Sequence, residues 1–554
     1  MENTGLVLLL AFGLSVLGLM IFIWSMSQGF FGSNSGTGAN VIFGKDEIGL
    51  VEDPAVVNTA ELQENVGATD ASLSVQEIKD RQIADASSAL PAFAWITGGV
   101  VWLVLASIAG LISSIKLHQP DWLTEQAWLT FGRLRVMHLT GVGYGWSSMV
   151  GIGVALWMLP RLLKTPLQGA KYALWGALIW NVGVILGENA IAHGFSAGME
   201  WLEIPSQIGI LFVIGGGLAA VPLLKTFVNR KVDHLYVSVW YIGGALIWFP
   251  ILYFIANIPG LGAGAQGGAM NWWFGHNVLG LWFTPLALAT AYYFIPKVLG
   301  KPIYSYNLSL LGFWSLAFFY SQVGGHHLIG GPLPSWLITL SIVQSVMMII
   351  PVYAVAVNHH MTVGWNFKAV VHSPTLRFIV LGSMLYVAAS VQGSMEALRA
   401  VNQITHFTHF TVAHAHLGNY GFFTMIMFGA IYFIMPRVVG WEWPYPWMIS
   451  AHFWLVVIGF AIYVIGLSIG GWLQGTYMLD ATKPFMDSVQ VTIPYLKARS
   501  VGGTLMLLGH LVFATHFFLL VLRYGSRREG VVLAAPLIEK LAKRKVSVKK
   551  VKGA

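Results

Sequence analysis

The sequence predicts an all-α polytopic membrane protein. Of its 554 residues 56% are hydrophobic and 10% charged, with a mean hydropathy of +0.68. Apolar segments of bilayer-spanning length recur along the chain, each bounded by Pro, Gly or charge. The 23 Trp and 62 Gly fit aromatic belts at two interfaces and helices that approach closely. Cysteine is absent, which excludes disulfides, thiolate metal sites and the C-x-x-C-H attachment of a c-type haem. Any metal must use His, carboxylate or backbone ligands.

The spans fall near 5–29, 91–115, 134–160, 169–193, 205–224, 236–257, 274–296, 308–328, 334–357, 377–398, 408–436, 447–472 and 500–523. The first begins MENT, without the basic n-region or cleavage site of a secretory signal, and reads as a retained helix. Residues 33–90, rich in Ser, Gly, Asp and Glu, read as a polar extramembrane loop. The organisation is therefore an N-terminal helix (1–32), that loop (33–90), a helical core (91–525) and a basic tail (526–554).

Lys and Arg orient the core. Alternate loops hold Arg161 and Lys164, Lys225 to Lys231, Lys297 and Lys301, Lys368 and Arg377, and Arg437, and the tail joins them; few basic residues lie on the other side. The basic side is expected to be cytoplasmic. The net charge of +8 is then a topological signal and not a nucleic-acid footprint. Loop 33–90, acidic yet assigned to the basic side, sits awkwardly in this scheme.

Histidine carries the chemistry. Ionisable groups at membrane depth are costly and face the bundle interior. His138, His276, His326, His327, His414 and His416 all lie toward the non-cytoplasmic halves of their spans. In "FTVAHAHLGNYG", His414 and His416 leave a helix roughly 200° apart, so they face two flat cofactors or, in the plainer alternative, two neighbouring helices. His326 and His327 sit where Gly324, Gly325, Gly330, Gly331 and Pro332 loosen the helix end. With His276 they make three neutral imidazoles, a set suited to copper, zinc or iron. On α-helical geometry Tyr320 shares the face of His327, about 10 Å nearer the cytoplasm; the alternative is a gap-filling aromatic. His359 and His360 are expected to lie solvated in a cytoplasmic loop.

Together these stretches resemble the catalytic subunit of the haem-copper oxidases, specifically the C-type (cbb-type) oxygen reductases. The matching segments are "FGRLRVMH" (131–138), "NWWFGHN" (271–277), "YYFIPKVLGKPIYSYNLS" (292–309), "FYSQVGGHHL" (319–328), "VAHAHLGNYG" (412–421) and "GWLQG" (471–475). The resemblance implies a twelve-helix haem-copper core, with the first helix as an addition. It implies a low-spin haem b on His138 and His416, a high-spin haem b on His414, and copper on His276, His326 and His327. It further implies catalytic roles for Tyr320 and His276, covalently joined, and a proton path through Tyr292, Ser309 and Tyr320. Arg133, Arg135 and Arg499 would pair with haem propionates, and Glu203 with calcium. Two departures stand out: Gly312 where the family usually carries His, and Gln392 where many relatives carry Glu, with Glu396 one turn later.

The implied activity is reduction of O2 to water with proton uptake and pumping. With no haem c on this chain, electrons would come from cytochrome c-type subunits and a soluble or membrane cytochrome c. A nitric oxide reductase on the same scaffold is the alternative. Those enzymes usually place a Glu four residues after the first metal His, where this chain has Gly280, and lack the Tyr that stands here as Tyr320. A transporter or structural subunit with incidental histidines is the third reading.

Overall fold

The computed structural model describes residues 2–27, 35–56, 71–258 and 263–527, and among these its regular secondary structure is all helix, apart from one isolated β-bridge between Trp441 and Arg527. We number the long helices α1 (Glu2–Ser27), α2 (Val75–Lys116), α3 (Phe131–Leu162), α4 (Ala170–Ala192), α5 (Ser206–Val228), α6 (Val237–Ala256), α7 (Gly264–Leu299), α8 (Tyr306–Phe319), α9 (Ser335–Val363), α10 (Pro374–Glu396), α11 (His409–Val439), α12 (Pro446–Leu479) and α13 (Ile493–Val521). Among the described residues, 11 helices are long and apolar enough to cross a membrane. The two expected spans outside that set are α1 and α8, the latter continued by a 3-10 segment, Tyr320–Leu328.

The helices form an inner and an outer group. Apolar windows of α3, α7 and α11 are 94%, 89% and 100% buried, against 33–44% for the others, so three helices are screened from lipid by the rest. Glycines let the screen close. A Cβ on Gly459 of α12 would meet the Gly502 carbonyl of α13 at 2.6 Å, and one on Gly176 of α4 the Gly215 carbonyl of α5 at 2.7 Å. In lipid such close packing replaces the hydrophobic drive.

Two sequence readings change here. Residues 75–90 are helical and not loop. Ser74 Oγ accepts the Glu77 N–H at 3.2 Å to cap α2, and Glu77 pairs with Arg81 one turn on at 3.0 Å. The polar composition that suggested a loop opens a 42-residue helix. His359 also lies within α9, only 2% exposed, rather than in a solvated loop.

The acidic segment 35–56 resolves its own awkward placement, for its carboxylates neutralise the basic helix ends. Glu47 binds Lys297 and Arg81, each at 2.5 Å, and Glu52 binds Arg437 at 2.5 Å. Beside the segment, Asp85 of α2 takes Arg161 in a two-point fork at 2.5 and 2.8 Å. Asp53, fully buried, accepts from Ser373 Oγ (2.6 Å), Thr375 Oγ1 (2.7 Å) and Thr375 N (3.1 Å), capping α10. At Gly300, φ +64, the backbone of α7 ends against Leu50, whose atoms leave no room for a Cβ. The segment is a strap across the basic end of the bundle. Residues 57–70 and the tail beyond 527 lie outside the described residues.

Candidate functional site

Each element that carries a candidate ligand abandons α geometry beside it. α3 turns π-helical over Gly141–Ser147 just past His138, α7 over Leu279–Phe283 just past His276, and α11 over Leu417–Thr424 directly after His416. Single π turns re-aim side chains and cluster at functional sites. After α8 the chain tightens into a 3-10 turn, Tyr320–Leu328. With about three residues per turn, Tyr320 lines up with His326, not with His327 as an α-helix would have it. Neighbours hold that winding. Asn277 Nδ2 donates to Ser321 O at 3.0 Å, Gln322 N to Gln344 Oε1 at 3.1 Å, and Ser341 Oγ to Val323 O at 2.6 Å. Gly324 permits the approach to α7, because a Cβ there would lie 2.8 Å from His276 Cβ.

The result is a three-histidine cluster. Ligand atoms of His276, His326 and His327 lie within 4.8 Å of one another, a donor set that fits one metal ion. Their tautomers are prepared. Ser345 Oγ donates to Ser341 O (2.7 Å), so it must accept from His326 Nδ1 (2.9 Å), which leaves Nε2 bare. Trp272 stacks on His327 at 4.0 Å and 12°. The Tyr320 ring lies 5.2 Å from that of His276, in the space a side chain at 280 would need, since a Cβ on Gly280 would fall inside it.

His138 and His416 face each other with nearly parallel planes (11°) and centroids 6.2 Å apart. His138 Nδ1 donates to Ala106 O at 2.8 Å and His416 Nδ1 to Val412 O at 2.9 Å. Backbone carbonyls thus fix both rings with the proton on Nδ1 and leave Nε2 as the nitrogen able to accept a metal. The spacing suits one metal between two imidazole nitrogens at about 2 Å each. His414, on the other side of α11, joins His276, His326 and Tyr320 around a cavity of about 120 Å³. All six histidines line a larger cavity of about 830 Å³, a volume at the upper end of roughly 300–1,000 Å³ for ligand sites.

Residues 91–505 match the family described as cytochrome c and quinol oxidase polypeptide I. The chain belongs to this family. It is 31% identical over 431 residues, 75% of this chain and 91% of the relative, to the cbb3-type cytochrome c oxidase subunit CcoN1 of Stutzerimonas stutzeri. It is 30% identical over 469 residues, 80% of this chain and 87% of the relative, to cytochrome c oxidase subunit 1 of Rhodobacter capsulatus. A solved heme-copper terminal oxidase dimer shares the fold, with a TM-score of 0.65 at 15% identity over 80% of this chain and 86% of that one. This member of the oxidase polypeptide I family is a multi-pass haem-copper oxidoreductase of the cbb type, and haem and copper are the cofactors its family implies.

The oxidase's other candidate residues are placed unevenly. Arg135 and Arg499 line the large cavity, Arg135 also pairing with Glu200. Arg133 instead donates to the Ala192 carbonyl at 2.8 Å and is absent from the cavity wall. Glu203 lies buried in the α4–α5 connection, and no side chain donates to either carboxylate oxygen among the described residues. Burial, with Glu200 nearby, pushes its carboxyl up to about 7. Tyr292 is fully buried, and Ser309 Oγ donates to Tyr306 O at 2.6 Å. Glu396 lines the large cavity and accepts from Thr411 Oγ1 at 3.0 Å, while Gln392 contributes to neither cavity wall.

Sequence reasoning passed over several supporting residues. Tyr463 Oη lies 3.1 Å from His416 Nε2 with Arg499 over its ring at 5.4 Å. Trp272 was visible in "NWWFGHN", but a Trp beside a span reads first as belt. Three other buried histidines are polar contacts between helices, which is how a lone intramembrane His most often reads. His510 joins Ser107 and Tyr420, both at 2.8 Å; His452 meets Tyr432 at 3.0 Å; His516 accepts from Tyr445 N at 3.2 Å.

Proposed function

We propose that the chain is the oxygen-reducing subunit of a cytochrome c oxidase complex in a bacterial cytoplasmic membrane, taking up protons from the Lys/Arg-rich side and pumping others. The observation that carries this reading is the Tyr320 ring beside His276, filling the volume at position 280. Nitric oxide reductases usually place a Glu at that position, and a glutamate side chain there would compete with the Tyr320 ring for one space.

His138 and His416 would hold a low-spin b-type haem, His414 a high-spin one, and His276, His326 and His327 the copper. When bound, these groups supply the electrons that cleave O2 without release of partly reduced products. The chain's own side chains supply the rest. Tyr320 holds a proton at Oη beside the three-histidine cluster and can surrender it, with an electron, into the cavity; the bond to His276 is part of this reading. Arg135 and Arg499 present guanidinium donors to the haem carboxylates, and Arg133 supports the same edge through the Ala192 carbonyl. Tyr292 and Ser309 belong to the path that reloads Tyr320. Buried Glu203, whose carboxylate oxygens no side chain meets among the described residues, is the calcium ligand in this proposal, because a cation would supply the missing partner. Without cysteine, electrons come from partner subunits bearing haem c, fed by cytochrome c.

The test is a reduced-minus-oxidised spectrum of the purified complex, with and without carbon monoxide, beside copper quantification. Two b-type haem signals on this subunit, one binding carbon monoxide, with one copper are expected. Iron alone with no copper would move the assignment to nitric oxide reduction.

A further inference from the structure

His359 is a buried imidazole to which the chemistry above gives no task. Its Nδ1 lies 2.6 Å from Ser383 Oγ of α10, and its ring meets Tyr292 of α7 edge-on at 4.3 Å and 71°. Tyr292 in turn lies parallel to Tyr241 of α6, 5.9 Å away at 17°. Both His359 Nε2 and Tyr241 Oη are buried without a hydrogen-bond partner among the described residues. α8 offers no side chain here. Gly312 faces this space, where a Cβ would come within 3.4 Å of Tyr241 Oη and 3.3 Å of Val355, one turn before His359 on α9.

Helices α6, α7, α9 and α10 thus aim hydroxyls and an imidazole at one volume in the membrane-embedded core. Buried polar atoms that lack a protein partner are met by internal water. Ionisable side chains linked at membrane depth mark ion and proton routes. The route has two ends. Tyr386, one turn after Ser383 on α10, lines the same small cavity as Tyr320, and His359 lies in the last turns of α9, which stops at Val363.

We propose that His359 is a proton-relay residue that reloads Tyr320. One ring nitrogen takes up a proton arriving from the Lys/Arg-rich end as a proton leaves toward the Tyr241 and Tyr292 hydroxyls, and thence by water and Tyr386 to Tyr320. One N–H bond forms as another breaks, and no electron moves. The assignment rests on the oxygen-reducing role of Tyr320 given above.

The test uses the whole complex carrying His359→Phe or His359→Gln, with His360→Gln as a control beside it. Oxygen consumption and the proton uptake that follows photolysis of carbon monoxide from the reduced enzyme in the presence of oxygen are measured. Turnover and proton uptake are expected to slow about tenfold or more in both His359 variants, with haem spectra, carbon monoxide binding and copper content unchanged. His360→Gln is expected to stay within about twofold of wild type. Should His359→Phe fail to assemble, His359→Gln decides, since its amide still reaches hydrogen-bonding partners. Wild-type proton uptake in His359→Gln overturns the relay alone. A wild-type complex that holds both haems and copper yet consumes no oxygen overturns the functional reading and the relay with it.

Discussion

Gly280 and Tyr320 divide one small volume, and that division decides the chemistry at the scale of single residues. Tyr320→Phe keeps the ring that packs against His276 and removes only the hydroxyl. It is therefore expected to abolish oxygen turnover while leaving haem spectra and copper content intact, checked by oxygen electrode and absorption on the same preparation. Gly280→Glu attacks from the other side. A carboxylate-bearing side chain must evict the Tyr320 ring, so this variant is expected to lose turnover by about 100-fold or more, the scale of a lost acid–base group, and to perturb the carbon monoxide spectrum that Tyr320→Phe spares. Position 280 was readable from sequence as a missing Glu. That the missing side chain makes room for Tyr320 was not, because the two residues lie on different helices and nothing local records their meeting.

Helices were legible as apolar lengths, and the six histidines that line one cavity as histidines at shared depth. Local winding was not. Reading every span at 3.6 residues per turn places Tyr320 with His327; the 3-10 turn places it with His326, because Asn277, Gln344 and Ser341 hold that backbone from outside the segment. The three π turns escaped for the same reason, although glycines 141, 143, 280, 418 and 421 mark where backbone can take an unusual path. That His414 and His416 point apart needed only two positions of regular α geometry: His416 faces His138 and His414 lines the small cavity. Residues 75–90 of α2 escaped because their polar composition mimics a loop, while their tertiary partner, Arg161, is 76 positions away from Asp85. That pair gives a prediction for the element. Asp85→Ala leaves the Arg161 guanidinium, 6% exposed, without its two-point partner. Removing one member of a buried pair costs about 3–5 kcal/mol, so detergent-solubilised protein is expected to show a clear fall in melting temperature, with the haem spectrum of the surviving fraction unchanged.

At the scale of the whole molecule, three inner helices carry His138, His276, His414 and His416, an outer group screens them, and an acidic strap crosses the basic end. The strap implies a direction for acid stability. Burial alone would raise the Glu47 carboxyl, but Lys297 and Arg81 overcome it and hold the group at about 2, below its ordinary 4.5. A depressed carboxyl stabilises fully above its unfolded value and is lost as pH falls through the folded one. The Glu47 contribution is therefore expected to be constant from neutral pH to about 4.5 and to vanish toward 2, and Glu47→Gln should flatten that acid limb in thermal-shift measurements while lowering stability at neutral pH. The strap also imposes an order on biosynthesis. Glu47 waits for a lysine 250 positions downstream, Asp53 for hydroxyls 320 and 322 downstream, and Glu52 for an arginine 385 downstream. A nascent chain halted before Arg437 holds its acidic latch only partly shut, so the final fastening of the bundle belongs to the last stage of translation and not to the insertion of its first helices.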